Sequence, residues 1–191
     1  MSILRYVSHP NVEIDPDVPV PDWALSERGR ERAHAMLSQP WLTSIGAVVS
    51  SAERKAVETA ELVADRLGLV VDVRPTTGEI DRSSTGFVPH ERHEELADRL
   101  FAEPDESADG WERAVDAQRR IVDGVSDLVV DAEADAVIVG HGGVGTLLWC
   151  HLAGVPIDRS LDQPGQGHHW AYDRTAGAVL HPWRPIDEFE V

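Results

Sequence analysis

Short apolar runs and helix-patterned segments take turns along this chain, and that alternation limits the fold more than any other feature. Residues 3–8, 45–51, 69–73 and 135–140 read as strands bounded by turn residues. Helical patterns fill the gaps. Ser26 is placed to N-cap a helix through about Ser38. Residues 53–67 carry Ala56, Ala60, Val63 and Leu67 on one face, and Gly68 suits the left-handed stop that follows. Residues 93–102, 111–130 and 143–153 continue the helical series, and the tail reads as a hairpin around Thr175-Ala176-Gly177. Residues 11–24 and 74–92 read as loops, the second long enough to mark a functional or mobile segment. This alternation predicts a three-layer α/β/α sandwich with a mostly parallel sheet, in a single domain over residues 1–191.

Ligands of such sheets bind beyond the carboxyl ends of the strands. Three polar sites fall there: His9 in "YVSHPN", the Ser50-Ser51 turn, and His141 in "GHGGVG". Gly140, Gly142 and Gly145 have the G-x-G-x-x-G spacing of a dinucleotide loop. The acidic residue expected about 20 positions on, at the end of a next strand, is missing, and Thr146 stands where a phosphate loop has lysine. The glycines instead allow a backbone to approach an anion at a helix start, with a tight turn and an incidental histidine as the plainer alternative. "SSAERKAVETAE" puts Arg54 and Lys55 in a first helical turn, where cations are unfavourable on dipole grounds. Either an anion sits beside them, or they form a solvated face with Arg54 pairing to Glu58.

A formal charge of −17 argues against a general nucleic-acid binder, which needs a basic surface, but not against a small anion held by a local cluster of donors. No apolar run approaches the ~18 residues of a membrane span, and none at the start reads as a signal peptide. Cys150 is the single cysteine, in the apolar run "LLWCHL", and reads as a buried thiol. A cytoplasmic protein without a membrane partner is expected.

Taken together, these segments resemble the histidine phosphatase superfamily, which includes the cofactor-dependent phosphoglycerate mutases. "SSAERKAVETAE" and "VIVGHGGVGTLLWCHLAG" carry the resemblance most closely; "YVSHPN", "LSERGRERA" and "GEIDR" follow in family order. The resemblance implies a phosphoglycerate mutase-like fold, His9 as the nucleophile that becomes phosphohistidine, Glu79 as proton donor with a pKa raised by burial or by a nearby phosphate, and His141 at the phosphoryl oxygens. It implies Ser8, Arg54, Lys55, Arg82 and Gly142 around the phosphate. The expected activity is hydrolysis of a small phosphomonoester, with phosphate itself as a ligand. The alternatives are a phosphoglycerate mutase-type phosphotransferase and a catalytically impaired phospho-ligand binder.

Two departures stand out: Ser8 and Pro10 flank His9 where the family has Arg and Gly, and Lys55 replaces an arginine. Two planar guanidinium forks are thereby lost. Arg82 is the nearest candidate to compensate, with Arg5 ranked below it. No cofactor or metal is expected, although His90 and His93 form an H-x-x-H pair, and a homodimer is one assembly left open. His90 and His93 read as a solvated or substrate-rim pair, His168 and His169 as neighbours pointing to opposite faces, and Trp23 as a loop anchor or substrate cap.

Overall fold

The computed structural model describes residues 2–130 and 134–189. Six strands form one sheet: β1 (Ile3–Ser8), β2 (Ile45–Ser50), β3 (Val71–Val73), β4 (Asp135–Gly140), β5 (His168–Asp173) and β6 (Ala178–Pro185). Their spatial order is β3-β2-β4-β1-β5-β6. The β3, β2, β4 and β1 neighbours pair in parallel, while β5 runs antiparallel to both β1 and β6. The predicted sandwich is therefore present, its sheet parallel from β3 to β1 and antiparallel at the β5–β6 hairpin of the tail.

Among the described residues five α-helices connect the strands: α1 (Glu27–Met36), α2 (Arg54–Leu67), α3 (His90–Ala102), α4 (Ala114–Val130) and α5 (Gly142–Ala153). Alternate residues of the central strands feed two cores. Tyr6, Ile138 and Trp170 pack with α3, α4 and α5, whereas Val7, Val137 and Val139 pack with α1 and α2. This is the period of two expected of strands buried on both faces. Arg5 shares the second face, its guanidinium 4.7 Å from the centre of the Trp41 ring.

The stop signals act as read. Ser26 Oγ accepts the Gly29 N–H at 3.1 Å, and Gly68 adopts a left-handed φ of 69° after α2. Gly29 is a steric requirement: a Cβ there would lie 2.0 Å from the Asn11 carbonyl oxygen. β3 starts two residues later than expected, because Leu69 is still bonded to the end of α2 through its N–H to Ala64 O. α3 starts three residues earlier, directly after Pro89, and α4 starts three later, beyond the buried Trp111. The Pro-rich loop is held by Trp23, which is buried, and whose indole N–H reaches the carbonyls of Asp15 and Val18. Among the described residues no helix is long and apolar enough to cross a membrane.

Candidate active site

β2, β4 and β1 lie side by side, with Ser8 opposite Gly140 and Ser50 opposite Val139. Their carboxyl ends deliver His9, Ser51 and His141 to one place, as the strand-end reading required. The His9 and His141 rings meet edge to face, 5.3 Å between centres. His9 is 8 % exposed and His141 is fully buried.

The tautomer of His9 follows from one contact. Its Nδ1 lies 2.9 Å from the Pro10 carbonyl, which only accepts, so Nδ1 carries the proton and Nε2 a free lone pair. Burial, then His141 and Lys55, push its pKa down to about 3, so the ring is neutral near pH 7. His141 Nε2 is 2.7 Å from Ser51 Oγ and 3.3 Å from Glu53 Oε1. The hydroxyl can donate or accept, and the negative charge of the Glu53 carboxylate beside Nε2 favours the tautomer with the proton there. Its Nδ1 is buried with no hydrogen-bond partner among the described residues.

Glu79 reaches the site from the irregular segment after β3. Its carboxylate accepts the N–H groups of Gly143 at 3.2 Å and Val144 at 3.0 Å, so it caps the start of α5, and it also accepts the Ile80 N–H. The anion expected at this glycine-rich helix start is thus a side chain of the protein. Burial pushes the Glu79 pKa up, but the charges of His141 and Arg82 and the Ile80 N–H outweigh it, and the carboxyl is held below its ordinary range. Burial alone therefore does not supply the raised pKa that a proton donor wants.

The remaining predicted residues divide. Lys55 is brought in: its side chain is 4 % exposed, and its ammonium donates to Glu53 and to the Val20 carbonyl. Arg54 is turned out, 58 % exposed, with its guanidinium on Glu58 at 2.8 Å. The physical reason is helical rotation, since consecutive side chains of α2 diverge by about 100° and only Lys55 shares the buried face with Ala56 and Thr59. Ser8 is buried, and its hydroxyl donates to Gln163 Oε1 and accepts the His168 N–H. Gly142 backs onto that amide; a Cβ there would fall 2.1 Å from Gln163 Nε2. Arg82 lies in electrostatic range of Glu79 and His141, with its guanidinium on His93 Nε2 and over the Trp111 ring.

Of the other histidines, His90 is exposed, and His168 and His169 do face opposite ways. His168 Nδ1 is on the Gly165 carbonyl, while His169 packs against Trp41 and His181. Among the described residues no three His, Cys, Asp or Glu side chains are grouped to hold a metal.

Three side chains that help build this cluster escaped the sequence reading. Glu53 lies between His141 and Lys55 and accepts the Glu79 N–H at 2.9 Å; burial pushes its pKa up, but His141 and then Lys55 hold it down to about 2. Gln163 reaches Ser8 across 155 residues. Arg120 of α4 donates to the carbonyls of Thr76, Gly78 and Glu79 and pairs with Glu112. An acidic residue two positions before Lys55 was the one available signal; the others have none in local pattern.

Solved structures share this arrangement of elements. A mycobacterial glucosyl-3-phosphoglycerate phosphatase in complex with inorganic phosphate aligns with a TM-score of 0.78 at 22% identity, over 98% of this chain and 100% of its own. YhfR of Bacillus stearothermophilus aligns at 0.75 and 21%, over 95% of each chain. The α-ribazole phosphatase of Shigella flexneri aligns at 0.71 and 18%, over 97% of this chain and 96% of its own. At these identities the likeness establishes the fold. None of the curated protein sequences matches the chain. The family model for the histidine phosphatase superfamily (branch 1) matches residues 14–170. That span contains Lys55, Glu79 and His141 and begins after His9. With most of its length matched, and with the fold of those structures, the chain belongs to the histidine phosphatase superfamily, branch 1.

Proposed function

We propose that this protein hydrolyses a small phosphomonoester through a phosphohistidine at His9. The observation that carries the reading is the His9 Nδ1 bond to the Pro10 carbonyl, which leaves Nε2 unprotonated and aimed by a neutral, buried ring beside His141. The Nε2 lone pair attacks phosphorus, the bond to the ester oxygen breaks, and Glu79 supplies the proton to the departing alcohol. Water then attacks phosphorus, its proton passes to Glu79, the N–P bond breaks, and His9 recovers its lone pair as phosphate forms.

Glu79 must be protonated for the first step, and the protein alone holds it ionised. The substrate supplies the missing push: a phosphoryl group beside a carboxylate raises its pKa by like-charge repulsion. The same repulsion vanishes when phosphate leaves, so Glu79 resets between turnovers.

The phosphoryl oxygens need donors as charge redistributes in the transition state. His141 Nε2–H and the Lys55 ammonium are the charged or polarised ones at hand, with the Gln163 amide in the place left by the missing fork at position 8. Arg82 supports from the rim.

The test is chemical. The protein is incubated with a panel of phosphomonoesters across pH 5–8 and quenched in alkali, which preserves phosphohistidine. Turnover and an acid-labile phosphoryl adduct on His9 are expected, and His9→Ala should lose both, with activity falling at least about a thousandfold. No adduct and no turnover with the whole panel would sink the hydrolase reading. It would favour a phospho-ligand binder, the reading that the engagement of Lys55 by Glu53 supports.

A further inference from the structure

Glu53 is the charged residue nearest His141 that the hydrolytic cycle does not use. Its position is unusual for a site that takes an anion. One carboxylate oxygen lies 3.3 Å from His141 Nε2 and accepts the Glu79 N–H at 2.9 Å; the other accepts from the Lys55 ammonium. These contacts draw on two of the donors that a phosphoryl group would need, Lys55 and His141 Nε2–H. The carboxylate side chain is only 15 % exposed, and Lys55 is pinned from the other side by the Val20 carbonyl. Glu53 therefore behaves geometrically as a bound oxyanion.

We propose that Glu53 is a resident competitor for the phosphoryl site, a specificity-determining residue that weakens the binding of free phosphate. The inference rests on the reading of His9 and His141 as the phosphoryl site. A phosphate dianion entering beside His9 meets a second carboxylate within the same cluster, and gains Lys55 only by drawing it off Glu53. Like charges at this range disfavour co-occupancy strongly in a water-poor site. Substrates then succeed by contacts to their organic part, whereas the product phosphate, which has none, is released readily. Glu53 remains charged throughout the physiological range, with its pKa held near 2, so the competition is permanent rather than a pH switch.

The measurement is calorimetric titration of inorganic phosphate at pH 7.5 into the wild type, Glu53→Gln and Glu53→Asp. Glu53→Gln is expected to tighten phosphate binding by at least about tenfold, because the shape stays and the charge goes. Glu53→Asp keeps the charge and should bind within about threefold of the wild type. A Glu53→Gln protein that binds phosphate no tighter than the wild type overturns the proposal, as does equal tightening by Glu53→Asp, which would make shape the cause. Glu53→Ser replaces the Gln variant in the same comparison if the latter does not fold.

The two readings fail separately. A wild type that forms phospho-His9, with no gain in Glu53→Gln, removes the competitor and leaves the hydrolase. Tighter phosphate in Glu53→Gln, with no adduct in any variant, removes the hydrolase and leaves the competitor.

Discussion

Tyr6 shows how much of the site is set by a residue that is itself fully buried. Its hydroxyl donates to the His141 carbonyl at 3.0 Å and accepts the His141 N–H at 2.9 Å. Burial pushes its pKa up, so the phenol stays neutral. Two glycines exist to admit it: a Cβ on Gly140 would fall 2.3 Å from its hydroxyl oxygen, and one on Gly145 would fall 2.4 Å from its ring. The G-x-G-x-x-G spacing thus has a steric origin, which the sequence could not show because Tyr6 lies on another strand. Tyr6→Phe should strand the buried His141 N–H, while the His141 carbonyl keeps the Gly145 N–H at 3.0 Å. The expected loss is about 1–3 kcal/mol of stability, read as a lower urea midpoint at unchanged slope. At this scale the sequence was legible where a residue ends a strand, as with His9 and His141. It was not legible where one step of helical rotation decides, as with Arg54 facing solvent and Lys55 facing the site. Glu53 was hidden differently, because an acid at a helix start needs no explanation beyond the helix dipole.

Among the elements, the periodic ones were read closely and the irregular one was not. The strands and α2 follow their apolar spacing, since each buries one face or both against a core. The segment from Arg74 to Pro89 has no period because it is held by polar contacts from outside. Arg120 grips three successive parts of it, the carbonyls of Thr76, Gly78 and Glu79, and Glu112 orients the guanidinium. Arg120→Ala should release the turn that presents Glu79. We expect a loss of about 2–3 kcal/mol in stability. We also expect kcat to fall about tenfold or more with little change in KM, since the leaving group rather than ground-state binding is affected. Arg120→Lys, which restores the charge without the fork, should recover only part of kcat. A drop in stability with kcat intact would reduce Arg120 to a structural brace. Gln163 belongs to the same lesson: its loop has no pattern, and its partner Ser8 lies at the other end of the chain.

For the molecule as a whole, several buried groups share one response to acid. His9 and His169 have pKa values near 3 in the fold against an ordinary 6.5, the second through burial and then His181 and Arg5. The unfolded chain therefore binds more protons than the folded one between about pH 6.5 and 3, and stability falls as pH falls through that window. Glu53, near 2 against 4.5, adds the same sign below about pH 4.5. Melting temperature should decline from pH 7 to pH 5, and His9→Asn should flatten the decline; a flat profile in the wild type would contradict the buried neutral histidines. The sheet order has a further effect, on synthesis. β1 is made first, yet its two neighbours are β4 and β5, which begin at Asp135 and His168. During translation the strand that carries His9 waits, apolar and unpaired, until most of the chain has left the ribosome. A chain stopped between β3 and β4 would expose two open edges where β4 belongs, and would be prone to pairing with copies of itself.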